Sequence, residues 1–320
     1  MMLVFSAKGI YMSLAQFKRH DVEFNAEGII LRGWLYQPLT ERSKKPAIVM
    51  THGFNCIKEL YLDKYAEVFA QAGYVVLVYD NRNLGASDGD IRQELDPWQQ
   101  VRDYRHAISF VQTLDYVDKD KIGIWGTSYS GGHVLVVAAL DKRVKCVVSQ
   151  VPTISGWQTT LRRIQPGQLT KLQQEFIQDR LERFQAKPPK MVAMISEPHG
   201  SNMASHASQD AWEFFTGLNA GEKDKWRFKN WRNEITLRSL EMYSEYEPAQ
   251  YIARIAPTPL LMIVGNCDVV TPTDLALAAF NRANEIKKLF LFEGGHFSGY
   301  VEQFTATSQA ACDWFKQYLV

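Results

Sequence analysis

The chain has 320 residues, of which 46% are hydrophobic and 22% are charged, the proportions of a globular protein with a sizeable core. Its 36 Lys and Arg residues are balanced by 35 Asp and Glu residues, which excludes the strongly basic surface of a nucleic-acid-binding or anionic-membrane-binding protein. The length exceeds that of one ordinary domain and falls short of two complete ones, so we expect one large domain with an insertion.

The N-terminal segment MMLVFSAKGIYM contains an apolar run that Lys8 interrupts. This run is too short for the core of a signal peptide or for a membrane span, so we expect a cytoplasmic protein that does not cross a membrane. The sequence leaves open whether translation starts at Met1 or at Met12. The four cysteines are scattered without a C-x-x-C pair, which predicts neither a disulfide framework nor a zinc site.

Short apolar runs alternate with longer helical patterns along most of the chain. The runs HDVEFNA and IILRGWLYQP are typical of two antiparallel strands joined at Glu27-Gly28. Six more strands are predicted at 46–53, 74–81, 121–128, 144–152, 259–266 and 287–295. Helices are predicted at 58–72, 97–114, 131–141, 273–285 and 302–318. This alternation predicts an α/β fold with a mostly parallel eight-stranded sheet flanked by helices.

One long stretch, from Thr153 to about Tyr246, interrupts this alternation. It has no convincing strand and is far too long for a simple crossover connection. It contains the amphipathic pattern GQLTKLQQEFIQDRLERF and four of the eight tryptophans. We therefore expect a core formed by residues 1–152 and 247–320, with a helical cap inserted at 153–246.

The stretch GIWGTSYSGGHVL, residues 123–135, predicts a strand, a tight turn at Ser128 and a helix. Such a turn exposes a serine nucleophile. Small residues are needed beside the serine, because its backbone is held in a strained conformation. The usual pattern is G-x-S-x-G, whereas Ser130 stands here at the second glycine position, for which we expect a space-filling role. Taken alone, G-x-S-x-S is also compatible with a simple tight turn.

The partners that a serine nucleophile needs follow two later predicted strands. A histidine must take the serine proton, and a carboxylate must fix the tautomer of that histidine. Asp268 follows LLMIVGN and His296 follows LFLFEGG, which gives the chain order serine, acid, histidine that this strand–helix arrangement requires. Asp268 is also suited to cap the next helix. The sequence predicts a catalytic triad of Ser128, Asp268 and His296.

An oxyanion formed on the substrate needs two hydrogen-bond donors. We expect them to be the backbone N–H groups of Tyr129, after the nucleophile, and of Phe54 in the loop THGFN, with Asn55 as the alternative to Phe54. His52 is expected to orient this loop. His133, on the buried helix after Ser128, is expected to be a packed or hydrogen-bonded histidine rather than a base.

The chain resembles the α/β-hydrolases in its segments HGF (52–54), YDNRNLGASDG (79–89), GTSYSGG, GNCDVVTP and GGHFSGY. It is most similar to the dienelactone-hydrolase-like and peptidase-like branch, and especially to polyketide hydrolases and acyltransferases of secondary metabolism. Asn83 replaces the first glycine of the family's D-x-R-G-x-G-x-S loop. The resemblance implies a serine hydrolase that acts on a small-molecule acyl substrate and requires no cofactor.

The cap is expected to set the substrate, with Trp157, Trp212 and Phe215 lining the pocket. This apolar content favours an ester, thioester or lactone, hydrolysed through an acyl-enzyme. One alternative is an acyltransferase or cyclising enzyme with the same triad, and a second is a non-catalytic ligand-binding homologue. A proline-specific peptidase is disfavoured, because we expect no further domain after His296.

Two other patterns have weaker functional interpretations. The run EKDKWRFKNWR, residues 222–232, interleaves basic and aromatic residues, but a cap helix with aromatic residues facing the pocket is favoured over a nucleic-acid surface. Glu197, His199 and His206 do not match the spacing of a zinc motif, so no metal is expected. A homodimer is one oligomeric state that the sequence leaves open.

Overall fold

A computed structural model of the chain describes residues 17–39, 44–165, 167–197, 208–218 and 220–319. Its strands are β1 (Phe17–Ala26), β2 (Ile29–Pro38), β3 (Lys45–Thr51), β4 (Val75–Tyr79), β5 (Val117–Thr127), β6 (Val144–Gln150), β7 (Met191–Val192), β8 (Ile235–Thr236), β9 (Leu260–Gly265) and β10 (Lys287–Phe292). Its α-helices are α1 (Leu62–Gln71), α2 (Pro97–Thr113), α3 (Tyr129–Leu140), α4 (Gly156–Arg163), α5 (Gln168–Phe184), α6 (Gln209–Thr216), α7 (Leu237–Ser244), α8 (Thr273–Arg282) and α9 (Phe304–Leu319). The candidate starts Met1 and Met12 lie outside the described residues.

The main sheet has eight strands in the order β1-β2-β4-β3-β5-β6-β9-β10. β2 pairs antiparallel with both β1 and β4, whereas all pairs from β4 to β10 are parallel. The central strands β4 and β9 are buried along their whole length, as expected for apolar strands that helices cover on both faces. The predicted α/β fold with a mostly parallel eight-stranded sheet is confirmed.

The hydrophobic core is divided by the sheet, because successive strand residues point to opposite faces. In β3, Val49 belongs to the cluster on the face that α2, α3 and α8 cover, whereas Ile48 and Met50 belong to the cluster under α1 and α9. On the second face, Tyr65 of α1 packs on Trp125 of β5 with ring centroids 4.9 Å apart. Among the described helices, none combines the length and the hydrophobicity that a lipid bilayer requires.

The segment between β6 and β9 contains α4, α5, α6 and α7. It also contains the two-residue strands β7 and β8, which pair antiparallel with Met191 opposite Thr236. No strand was predicted here, and this prediction was wrong because two residues are too few to produce an alternating pattern. The pairing joins the end of α5 to the start of α7.

The parallel strands bring several loops to one edge of the main sheet. The carboxyl ends of β3, β5, β9 and β10 lie at this edge, so the loops that follow Thr51, Thr127, Gly265 and Phe292 meet there. This is the edge where ligand sites of α/β sheets are found. The predicted residues Phe54, Ser128, Asp268 and His296 all belong to these loops.

His133 lies in α3 and is fully buried. Its Nδ1 is 3.0 Å from the Tyr246 hydroxyl, and its Nε2 is 2.9 Å from Oε1 of Gln100. The packed, hydrogen-bonded role expected for His133 agrees with this position. Burial lowers the pKa of His133 from 6.5 to about 3, so the native imidazole is neutral at pH 7.

His133 is expected to make the native state less stable in acid. Between pH 6.5 and about 3 the unfolded chain binds a proton that native His133 excludes, so stability falls as the pH falls through this window. From pH 7 to pH 5 we expect this residue to remove about 2 kcal/mol from the free energy of unfolding. The measurement is urea unfolding at pH 7 and pH 5. His133→Gln should not show this decrease in the free energy of unfolding, whereas His20→Gln, a change at an exposed residue of β1, should still show it. An unchanged pH dependence in His133→Gln would contradict the assignment.

Candidate active site

Ser128 occupies the sharp turn between β5 and α3. Its backbone has φ 57° and ψ −117°, a strained conformation for a residue with a side chain. The turn is held in place because the N–H of Ser128 donates to the carbonyl of Gln150 at 2.9 Å, and its own carbonyl accepts from the N–H of Thr153 at 2.9 Å. A strained, tightly held serine between a strand and a helix is the arrangement expected of a nucleophile turn.

Two glycines allow close packing around this turn. A Cβ atom at Gly126 would lie 2.2 Å from the carbonyl oxygen of Ser130, and one at Gly53 would lie 2.8 Å from Cβ of Ser128. Neither position has room for a side chain. The loop after β3 therefore passes directly beside the serine.

Ser130 is fully buried, and its hydroxyl donates a hydrogen bond to the backbone carbonyl of His52. The expected space-filling role is therefore incomplete. A glycine at this position could not make this bond, which joins the nucleophile turn to the loop that carries Phe54.

Ser130→Ala is expected to weaken this connection. The substitution leaves the buried His52 carbonyl without its donor, so we expect a loss of about 1–2 kcal/mol in the free energy of unfolding. We also expect kcat/KM for a p-nitrophenyl ester to fall about tenfold, because the loop beside the serine loses a fixed contact. Ser109→Ala, on the exposed face of α2, should leave kcat/KM unchanged. If Ser130→Ala had the stability and the kinetics of the wild type, the role of Ser130 would be limited to filling space.

The three residues predicted to form a triad lie together. Nε2 of His296 is 3.0 Å from Oγ of Ser128, and Nδ1 of His296 is 2.7 Å from Oδ2 of Asp268. His296 is 2% exposed and Asp268 is 4% exposed. A serine, a histidine and a buried carboxylate hydrogen-bonded in this order can transfer the serine proton and hold the imidazolium that results.

Asp268 is held by its own loop. Its Oδ1 accepts from the N–H groups of Val270 and Thr271, both at 2.8 Å. Its Oδ2 lies 2.8 Å from the Thr271 hydroxyl, which is also 3.1 Å from Nδ1 of His296 and 2.9 Å from the carbonyl of Val151. Helix α8 begins after Pro272 without a side-chain cap, so Asp268 does not act as its N-cap.

Thr271 is a site residue that was not predicted from the sequence. The residue is part of the segment GNCDVVTP that carries the family resemblance, but its contact with His296 depends on how the loop folds back. A hydroxyl two or three positions after a candidate acid is a signal that could have indicated it.

The loop after β3 is ordered by hydrogen bonds around His52. Nε2 of His52 accepts from the N–H of Asn81 at 3.0 Å, so Nδ1 carries the proton and donates to the carbonyl of Gly53 at 3.0 Å. Burial lowers the pKa of His52, which keeps the ring neutral. The orienting role expected for His52 agrees with these contacts.

The two residues expected to supply the oxyanion donors, Phe54 and Tyr129, lie together beside Ser128. The rings of Phe54 and Tyr129 pack edge to face, with centroids 5.1 Å apart. The side chain of Asn55, whose backbone N–H is the alternative donor, holds the loop through its Nδ2, which donates to the carbonyl of Arg232 at 2.9 Å.

A mostly apolar cavity opens beside Ser128 and His296. Its empty space, including the solvent at its open mouth, is about 440 Å³. Its lining side chains come from the core loops and from the segment between β6 and β9: Phe54, Cys56, Leu60, Leu62, Thr127, Met194, Phe214, Phe215, Val270, Phe297 and Tyr300. Such a cavity suits an apolar group attached to a carbonyl that reaches Ser128.

Of the three aromatic residues predicted to line the pocket, the structure places only Phe215 there. Trp157 is 40% exposed at the start of α4 and lines a separate groove together with Leu169 and Phe176 of α5. Trp212 is half-buried against the hydrophobic core. The pocket prediction is corrected for both tryptophans, because composition alone does not indicate which side of a helix faces the cavity.

The run 222–232 takes part in packing. Residues Glu222–Phe228 form a 3₁₀ helix in which the guanidinium of Arg227 pairs with Asp63 at 2.5 Å and with Asp224 at 2.7 Å. The ring of Trp231 stacks on Phe215 with centroids 5.0 Å apart. Of the residues considered for a metal, His199 and His206 lie outside the described residues. Within the described ranges, no group of three or more His, Cys, Asp and Glu side chains is placed to hold a metal ion.

Comparison with known proteins identifies a family. Residues 27–298 match the model of the family described as X-Pro dipeptidyl-peptidase (S15 family). The chain is 34% identical to a thiohydrolase of Eupenicillium brefeldianum over 280 residues, which cover 87% of each chain.

Two further comparisons concern a transferase and a solved structure. The chain is 34% identical to a polyketide transferase of Aspergillus fumigatus over 273 residues, 85% of this chain and 88% of the relative. The crystal structure of an α/β-hydrolase from a Penicillium species superposes with a TM-score of 0.80 at 27% identity, covering 94% of this chain and 99% of the other. The predicted resemblance to α/β-hydrolases of secondary metabolism is confirmed.

Proposed function

The chain belongs to the S15 peptidase family of α/β-hydrolases and is an enzyme, and from that premise we propose that it hydrolyses an apolar acyl thioester or ester through Ser128. The observation that carries this proposal is the hydrogen-bonded series Ser128–His296–Asp268 at the wall of an apolar cavity. No cofactor takes part in the proposed reaction.

In the first step, Oγ of Ser128 attacks the acyl carbon while Nε2 of His296 takes its proton. The imidazolium that forms donates from Nδ1 to Asp268, whose carboxylate stabilises the positive charge. The N–H groups of Phe54 and Tyr129 donate to the negatively charged oxygen of the tetrahedral intermediate. His296 then protonates the leaving thiol or alcohol.

In the second step, water attacks the acyl-enzyme. His296 takes a proton from the water, and the second tetrahedral intermediate collapses to the free acid and Ser128. The serine, the histidine and the acid return to their starting protonation states.

The substrate class is supported by the cavity and by the relatives. Phe214 and Phe215 of α6 and Met194 line the cavity, so the segment between β6 and β9 supplies much of the apolar surface. One of the relatives is a thiohydrolase. We propose that residues 153–246 act as a cap that selects the acyl group.

This proposal is tested by trapping the acyl-enzyme. We expect rapid quenching of reactions with p-nitrophenyl esters and N-acetylcysteamine thioesters to give a peptide containing Ser128 whose mass has increased by the acyl group. Ser128→Ala, treated in the same way, should give no adduct. Turnover of these substrates without any adduct on Ser128 would contradict the proposed nucleophile.

Transfer to an alcohol is the second candidate, because one relative is a polyketide transferase. The two reactions share the acyl-enzyme and differ in whether water reaches it. Products formed with and without a dilute alcohol acceptor separate them. A hydrolase gives mainly the free acid in both cases, whereas a transferase favours the alcohol ester.

A further inference from the structure

Two side chains from the segment between β6 and β9 reach the loops that carry the catalytic groups. Arg163 is the last residue of α4, and Tyr243 lies near the end of α7. Arg163 is half-buried, and Tyr243 is buried. Neither residue is among the described residues that line the cavity beside Ser128. Their contacts are therefore with the residues that support the catalytic groups.

Arg163 holds the acid loop, residues 266–272, which carries Asp268. Its Nη2 donates to the backbone carbonyl of Val270 at 2.5 Å. The N–H of Val270 in turn donates to Oδ1 of Asp268 at 2.8 Å. Among the described residues, no carboxylate lies within ion-pair distance of Arg163. The polar contact of this guanidinium is therefore with the residue that binds the catalytic carboxylate.

The ring of Tyr243 packs on both oxyanion residues, Phe54 and Tyr129. It stacks on Tyr129 with centroids 5.5 Å apart and meets Phe54 edge to face at 5.3 Å. The guanidinium carbon of Arg163 lies 5.5 Å from the centre of the Tyr243 ring, within the range of a cation–π contact. Arg163 thus contacts the acid loop directly and the two oxyanion residues through one aromatic ring.

Helix α4 is attached to the chain that follows α7. The N–H of Gly156, the first residue of α4, donates to the carbonyl of Tyr246 at 2.8 Å. The hydroxyl of Ser155, the N-cap of α4, donates to Oε1 of Glu247 at 2.7 Å. These bonds fix the start of α4, and Arg163 fixes its other end to the acid loop.

We propose that Arg163 and Tyr243 are positioning residues that hold the acid loop and the oxyanion residues in place relative to each other. Asp268 orients His296, and the oxyanion residues carry the donor N–H groups, so a shift of either part misaligns the reaction. A displacement of about 1 Å caused by a mutation away from the reacting atoms can reduce the rate about 100-fold. The inference deepens the proposed function and rests on it.

Arg163→Met removes the hydrogen bond and the charge but keeps a long side chain. We expect kcat for a p-nitrophenyl acyl ester to fall about 10- to 100-fold, with KM changed less than about threefold. Arg163→Lys retains a cationic donor and should recover part of this loss. Arg162→Met is the control, because Arg162 pairs with Asp274 on the surface, and it should keep wild-type kcat. A raised KM at wild-type kcat in Arg163→Met would overturn the proposal, since Arg163 would then bind substrate.

The rate of labelling by a fluorophosphonate probe measures the activation of Ser128 without the natural substrate. We expect this rate to fall in Arg163→Met and in Tyr243→Leu by factors similar to their losses in kcat, with melting temperatures within a few degrees of wild type. Tyr243→Phe retains the ring and should recover most of the rate. Wild-type labelling rates in both Arg163→Met and Tyr243→Leu would refute the positioning role but retain the proposed function. A wild-type protein that is neither labelled nor active would refute both.

Discussion

Replacing Ser128 with alanine is expected to reduce kcat for a p-nitrophenyl acyl ester by roughly 10⁵- to 10⁶-fold. The reason is that Oγ of Ser128 lies 3.0 Å from Nε2 of His296 at the wall of the apolar cavity, so the alanine variant lacks the nucleophile that His296 activates. Residual hydrolysis would come from substrate binding and from the N–H donors alone.

The fold of this variant should be intact. Alanine retains the Cβ atom of Ser128, and the hydrogen bonds that hold the turn are made by its backbone. We therefore expect a melting temperature within a few degrees of wild type. Ser109→Ala serves as the control and should keep wild-type kcat. If Ser128→Ala keeps most of the activity, Ser128 is not the nucleophile.

A fluorophosphonate probe separates a catalyst from a non-catalytic binding protein with the same fold. The probe reacts with an activated serine, so wild-type protein should be labelled and Ser128→Ala should not be. Absence of labelling in the wild type would favour the ligand-binding alternative.

The fold and the position of the site were predictable because they depend on local patterns. Strands such as Val75–Tyr79 are apolar on both faces, which is a strong signal for a buried parallel strand. Ser128, Asp268 and His296 each follow a predicted apolar strand, and the carboxyl ends of parallel strands lie at one edge of the sheet.

The remaining features depend on contacts between distant parts of the chain. Ser130 bonds to a carbonyl 78 positions away, and Thr271 reaches His296 only because the loop after β9 folds back. The exposure of Trp157 depends on how α4 packs against its neighbours. The local sequence does not encode these long-range contacts. The pattern therefore predicts which types of residue form the site but not which of them contact each other.

Asp268→Asn is expected to reduce kcat about 10⁴-fold with little change in KM. Oδ1 of Asp268 accepts from the N–H groups of Val270 and Thr271, and only the amide oxygen of an asparagine can take that place. The amide NH₂ must then face Nδ1 of His296 and donate to it. Nδ1 becomes an acceptor, so the proton of the neutral ring moves to Nε2.

This tautomer cannot accept the proton of Ser128, which is why the effect falls on kcat. Asp274→Asn tests whether the loss of a nearby negative charge is sufficient to lower kcat. Asp274 lies in the first turn of α8 and pairs with Arg162 on the surface. That variant should keep wild-type kcat, since a surface ion pair contributes little and does not touch His296. A loss of less than about tenfold in Asp268→Asn would mean that the carboxylate does not set the tautomer of His296. Asp268 would then act only to hold its loop.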